Sequence, residues 1–277
     1  MDFLLKKKRN IYLCMGDENK KECPSVKEPE KIDDENNEPD EKQCDTTQTQ
    51  NDSVPNCSKD VSFKDQSESL KEHILLNYPF YTITASCIFI LSCKKTNKHN
   101  YFVMIFSLMY VAFAGYFIHM ISHNIHYTKM YDEYPVIYKN IPIIDHCFRA
   151  FTWFLDFHHI SHHDSDINKL PKYQLLEAIN NFVMQGAIGV CAGTLYNMMD
   201  WRMFMLWGLF YASFHIINYT FIEPTVHSDH HLNIYSNYGI DIFDILMGTK
   251  HNWSDIEDYN HYSINMVLIS VLFYFII

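Results

Sequence analysis

The sequence predicts an all-α integral membrane chain whose core is four helices in two hairpins, capped on one membrane face by a histidine-rich, metal-binding layer. Three observations predict it. Apolar runs of span length occur in two pairs, each joined by a short polar break. A long acidic segment with almost no apolar cluster precedes them. Histidines gather in three boxes near the ends of the apolar runs.

The N-terminal segment comes first. Residues 16–72 hold 17 Asp and Glu against 8 Lys and Arg, so −9 of the net −11 belongs to them. With Pro24, Pro29, Pro39 and Pro55 scattered among polar residues, this composition buries too little surface to offset ordering entropy. Residues 1–72 are therefore expected to be a disordered acidic tail. The charge says little about the rest of the chain, and nothing in it favours nucleic-acid binding. Eight cysteines without a CxxC pair fit reduced thiols facing the cytosol. The start, Met1 to Leu5 followed by Lys6-Lys7-Lys8-Arg9, places its charges after a short apolar stretch, the reverse of a signal peptide.

Residues 73–263 are expected to be the membrane-embedded domain. Ile74–Cys93 and Tyr101–Ser122 are each long enough to cross about 30 Å of hydrocarbon, and only residues 94–100 separate them. A second pair, Ile179–Met199 and Met203–Ile222, is split by Asp200-Trp201-Arg202. Two hairpins return the chain to the same side each time, and lipid demands that the spans be helices. Lysines at the first hairpin tip oppose the positive-inside tendency, but the boxes meet only in this arrangement. The apolar residues 264–277 are short for a span and are expected to form an interfacial or partly inserted helix.

The boxes are His119-Met-Ile-Ser-His123, His159-Ile-Ser-His162-His163 and His227-Ser-Asp-His230-His231. Helix positions i, i+3 and i+4 share a face, so each box aims two or three imidazoles the same way. Neutral imidazole suits iron, zinc and copper, and a site with open positions suits a redox metal that binds oxygen. A polar residue near the end of a span, as His119 is, is costly and functional by default. No ExxH pair supplies the carboxylate set of soluble di-iron bundles. His73, His99, His146, His251 and His261 read as satisfied core or interfacial residues.

The box series resembles the fatty acid hydroxylase/sterol desaturase superfamily of membrane di-iron enzymes, over roughly residues 75–250. Asn237-Tyr238-Gly239, Asp244 and Gly248-Thr249 are similar to that family's tail after its last box. The chain departs from the family pattern at Phe243, where Trp is usual, and at Ile245, where Arg commonly follows the Asp. The resemblance implies that His119, His123, His159, His162, His163, His227, His230 and His231 are metal ligands, with His215 a further candidate. His126 and His158 are extra candidates, and Asp164 and Asp229 are candidate acceptors behind the ligands. It implies two iron ions, O2 as co-substrate, and a multi-pass protein of the endoplasmic reticulum with its boxes facing the cytosol. Its activity would be hydroxylation or desaturation of a sterol or a fatty acyl/sphingoid chain in lipid biosynthesis. No heme motif is visible in the tail, so electrons would come from a separate donor such as cytochrome b5. The rival class is a histidine-rich membrane metal-binding or metal-transport protein. Transport would place polar groups at mid-span, whereas these histidines gather at span ends.

Overall fold

A computed structural model describes residues 62–95, 99–134, 137–163, 170–187, 198–222 and 224–276, all within one compact unit, Asn56–Ile277. The tail up to residue 61 lies outside the described residues. So do Asp164, Cys191 and much of the expected third span. The described residues are helical, and no strand occurs among them.

Helix α1 (Phe63–Leu76) starts at Ser62, whose hydroxyl accepts from the Lys64 amide, a standard N-cap. Residues 63–72, expected within the tail, are thus helical. Their polar side chains face outward, while Ser69 and His73 are buried and Gln66 donates to the Ile245 carbonyl at 2.7 Å. Long-range polar contacts, which periodicity does not register, hold this segment. Helix α2 (Tyr78–Ser92) follows at a 60° bend. Pro79 in its first turn lacks an amide hydrogen and cannot extend α1, so the helix breaks at Asn77. The expected span 74–93 is therefore a bent pair, of which α2 covers about 22 Å.

Helix α3 (Tyr101–Asn124) is capped by Asn100, which accepts from the Val103 amide at 3.0 Å. Among the described residues it alone is an unbroken helix long and apolar enough to cross a membrane; the bent pair α1–α2 passes only when taken as one. Met104, Leu108, Val111, Gly115, His119 and His123 form its buried stripe. Phe102, Phe106, Met109 and Phe113 form its exposed apolar face. The i, i+4 spacing that buries the apolar stripe also carries the first box inward.

Helices α4 (Tyr127–Glu133) and α5 (Pro142–Leu155) pack as a hairpin, with Arg149 pairing to Asp145 and Asp132. Asp156 accepts from the Tyr127 and Thr128 amides, so the end of α5 is fixed beside the end of α3. Helix α6 (Pro171–Phe182) passes into a π turn, Val183–Ala187. Helix α7 (Trp201–Ser213) is capped by Asp200 and passes into a second π turn, Phe214–Asn218, then α8 (Tyr219–Ile222). These two strings cross closely: a Cβ on Gly186 would lie 2.4 Å from the Phe204 carbonyl. Residues 203–222, expected as the fourth span, pack into the core of the protein. Met203, Phe204, Leu206, Trp207, Phe210 and Phe214 are all buried. Apolar periodicity alone does not distinguish a helix buried in protein from one buried in lipid.

The chain closes with α9 (Thr225–Leu232), α10 (Asp241–Met247) and α11 (Ser263–Ile276). Helix α11 packs on α2 and α7 and exposes Ile264, Leu268, Phe275 and Ile276. Between α10 and α11 lies a buried polar network. Asp241 accepts from Lys250 and lies 3.3 Å from His73, both fully enclosed. Asn77 donates to the Glu257 carbonyl at 2.9 Å and accepts from the Tyr259 amide at 2.6 Å. Tyr262 donates to the Glu257 carboxylate.

Burial pushes the Glu257 carboxyl from 4.5 up to about 8. Between those values the folded state holds a proton that the unfolded state has lost, so unfolding releases a proton and raising the pH erodes stability. The slope is at most about 1.4 kcal/mol per pH unit. Glu257→Gln is expected to flatten this part of the profile, read by thermal denaturation in detergent from pH 5 to 8.

Candidate metal centre

Each box reaches the centre by a different local device. The buried stripe of α3 delivers His119 and His123. Box two lies on a π turn, His158–His162, that follows α5, with His163 directly after the turn. Box three lies on α9, where His227 and His231 are one turn apart with ring nitrogens separated by 3.0 Å. His215 comes from the π turn after α7. Three of the described π turns thus lie at or beside the histidines, consistent with their frequent use at functional sites.

The imidazoles form two lobes. The first is His119, His123, His158 and His230, all buried, with candidate ligand atoms within 4.8 Å of one another. His119 Nε2 lies 2.9 Å from Nε2 of both His158 and His123. The second lobe joins two groups through His162: His162, His227 and His231, and His162, Glu177 and His215. His158 and His162 stack at 4.7 Å between ring centroids and so link the lobes.

Of the nine candidate ligands, seven fall in these groups: His119, His123, His162, His215, His227, His230 and His231. His163 sits between the lobes, 5.1 Å from His230 and 4.8 Å from His231 by ring centroids, without joining a group. His159 stands outside, 4.7 Å from His123 and 5.0 Å from His126. His158 takes the inward place instead. The sequence does not choose between them, since His158/His162 and His159/His163 both repeat the HxxxH spacing of His119 and His123.

The carboxylate beside the box histidines is Glu177, which the sequence reading did not single out. Its Oε1 lies 2.6 Å from His162 Nδ1 and 3.2 Å from His215 Nδ1. It shares the buried stripe of α6 with Tyr173, Asn180 and Asn181, an unusual place for a charged residue. His230 Nδ1 faces the Ser236 carbonyl at 2.7 Å. That carbonyl is held by the Asn237–Thr249 segment. Asp244 accepts from the Tyr238 and Gly239 amides and from Thr249, and Tyr116 reaches Thr249 at 2.7 Å. The motif after box three therefore braces His230. Asp229 is half-buried on α9 and belongs to none of the groups.

Burial, reinforced by neighbouring imidazoles, holds His158, His162 and His227 well below their ordinary pKa. It takes His163 to about 2 and His230 to about 4. These rings are neutral at physiological pH, which is the metal-binding form. The donor set also fits a metal. Nε2 of His159, His163, His215 and His230, and Nδ1 of His123, are buried without a hydrogen-bond partner among the described residues. Ligands about 2.1 Å from one ion and at right angles to each other lie about 3 Å apart, close to the observed spacings.

A cavity of about 20 Å³ adjoins the first lobe, walled by His119, His158, Asn180, Asn181, Gln185 and Tyr211. It holds one water-sized molecule. Comparison of the chain with protein-family models, curated proteins and solved structures finds no match.

Proposed function

We propose that the protein is a membrane-bound, O2-dependent di-iron oxidoreductase that hydroxylates or desaturates a lipid, a sterol or a fatty acyl/sphingoid chain. The observation that carries this reading is the junction of two neutral imidazole lobes with the end of the span-length helix α3. Helices α2 and α11, with their exposed apolar faces, and the expected residues 179–199 would complete a multi-pass arrangement in the endoplasmic reticulum, with the lobes on the cytosolic side. The donor set, imidazole-rich with one carboxylate nearby, suits iron that must leave positions open for oxygen.

A bound iron pair supplies reduction of O2 and attack on an unactivated C–H bond. The protein's own share is positioning and exclusion of water. His119, His123, His158 and His230 would hold one ion, and His162, His215, His227 and His231 the other. Ser236 fixes the ring of His230 by accepting at Nδ1, and Glu177 does the same for His162 and His215. The cavity beside His119 and His158 offers carboxamides and the Tyr211 hydroxyl but no cation on its wall. It therefore suits a small neutral group near the reacting carbon. Electrons would arrive from a separate carrier such as cytochrome b5.

The test uses membranes containing the protein, NADH or NADPH, cytochrome b5 and its reductase. Oxidised lipid is expected in proportion to O2 consumed, and anaerobiosis should stop its formation. Metal flux in sealed vesicles, with no O2-dependent change in lipid, would instead make the lobes a transport or storage site.

A further inference from the structure

The two lobes are not equivalent, and Glu177 is the reason. Its Oε1 faces Nδ1 of His162 at 2.6 Å and Nδ1 of His215 at 3.2 Å, deep in the protein. An imidazole that donates from Nδ1 to a carboxylate carries its lone pair on Nε2. Nε2 of His215 is indeed buried with no hydrogen-bond partner among the described residues. Asn181 Nδ2 also lies 3.2 Å from His215 Nδ1, as a packing contact only, because a ring nitrogen that donates to Glu177 does not accept from an amide N–H. Behind the first lobe the acceptors are neutral. His230 has the Ser236 carbonyl, and His119 Nδ1 has the Tyr211 hydroxyl at 3.5 Å. His123 Nδ1 has no hydrogen-bond partner among the described residues.

Resting on the metal-centre reading above, we infer that the position bounded by His162, His215, His227 and His231 binds its ion more tightly and fills first. Glu177 acts there as a positioning residue behind two imidazoles. A hydrogen bond to a carboxylate is about twice as strong as one to a neutral acceptor, and it raises the basicity of the ligating nitrogen. In a site shielded from water the carboxylate also offsets part of the charge an arriving cation brings. One residue thus favours the second lobe in three ways: it fixes two tautomers, strengthens two ligands and supplies negative charge. In the first lobe the Ser236 carbonyl fixes the one ring of His230 and brings no negative charge.

The test is an anaerobic titration of the full-length, metal-free protein in detergent with cobalt(II), whose visible bands report ligand geometry. Two separable binding steps are expected. Glu177→Gln should weaken the tighter step by about 10- to 100-fold, the usual effect of losing a partner behind a ligand, and leave the bands of the weaker step unchanged. Glu177→Asp should recover part of the loss. His119→Ala should remove the weaker step and spare the tighter one, a result that stands even where Glu177 variants fail to fold. A single affinity for both positions would overturn the inference, as would an unaffected tighter step in Glu177→Gln or loss of the tighter step in His119→Ala. If the wild-type protein takes up no cobalt at all, the metal-centre reading itself fails.

Discussion

His162→Ala is expected to be the most damaging single change in the centre. His162 is the one residue shared by both groups of the second lobe, and its ring stacks on His158 of the first. On the proposed reading, removing it would take one ligand from the second ion; it also removes the partner of Glu177 and the ring that stacks on His158. Activity should fall at least about 100-fold, since losing only a residue behind a ligand already costs 10- to 100-fold in affinity or activity. Iron content should drop with it, while insertion into membranes stays normal because the substitution lies outside every apolar helix. His158→Ala should approach this effect, and His159→Ala should be milder. Metal analysis and turnover of the three purified variants check the ranking. If His159→Ala proved the worse of the two, the π-turn geometry of box two would be wrong.

Lys250→Met is expected to have the largest effect on stability. The Lys250 ammonium donates to Asp241, and both side chains are shut away from solvent. A buried pair stabilises little against well-packed apolar residues, but breaking it leaves a charge with no solvent to turn to, at about 3–5 kcal/mol. His73 lies 3.3 Å from the same carboxylate, farther from it than the Lys250 ammonium. The double variant Asp241→Asn/Lys250→Met should recover much of the loss, because no lone charge remains. A double-mutant cycle on thermal midpoints in detergent measures the coupling. Additive single effects would show that the pair does not act as a unit.

What the sequence reveals depends on how local the cause is. Helix α3 was legible almost to the residue, because a cap at Asn100 and an apolar run of span length are both local signals. The histidine boxes were legible as a constellation for the same reason. The bend at Asn77 was less so, although Pro79 announces a break; apolar character on both sides hides it. Residues 63–72 were misjudged because their order comes from Gln66, Ser69 and His73 reaching across the chain to residues 241–253. The apolar run of α7 was legible but not its surroundings, because burial in protein and burial in membrane select the same side chains. The exchange of His158 for His159 follows from a π turn, which a 3.6-residue period does not anticipate. Glu177 was missed because it belongs to no box: it lies on α6, 15 residues past His162, and only the fold sets the two side chains together.

The central claim is that three separated boxes form one centre for two redox metal ions. Metal analysis of the full-length protein, purified anaerobically from membranes of iron-sufficient cells, tests it most directly. The account predicts about two iron ions per chain, lost together with lipid oxidation in His162→Ala. A protein that carries stoichiometric zinc instead, or that carries no metal while remaining folded, would contradict it.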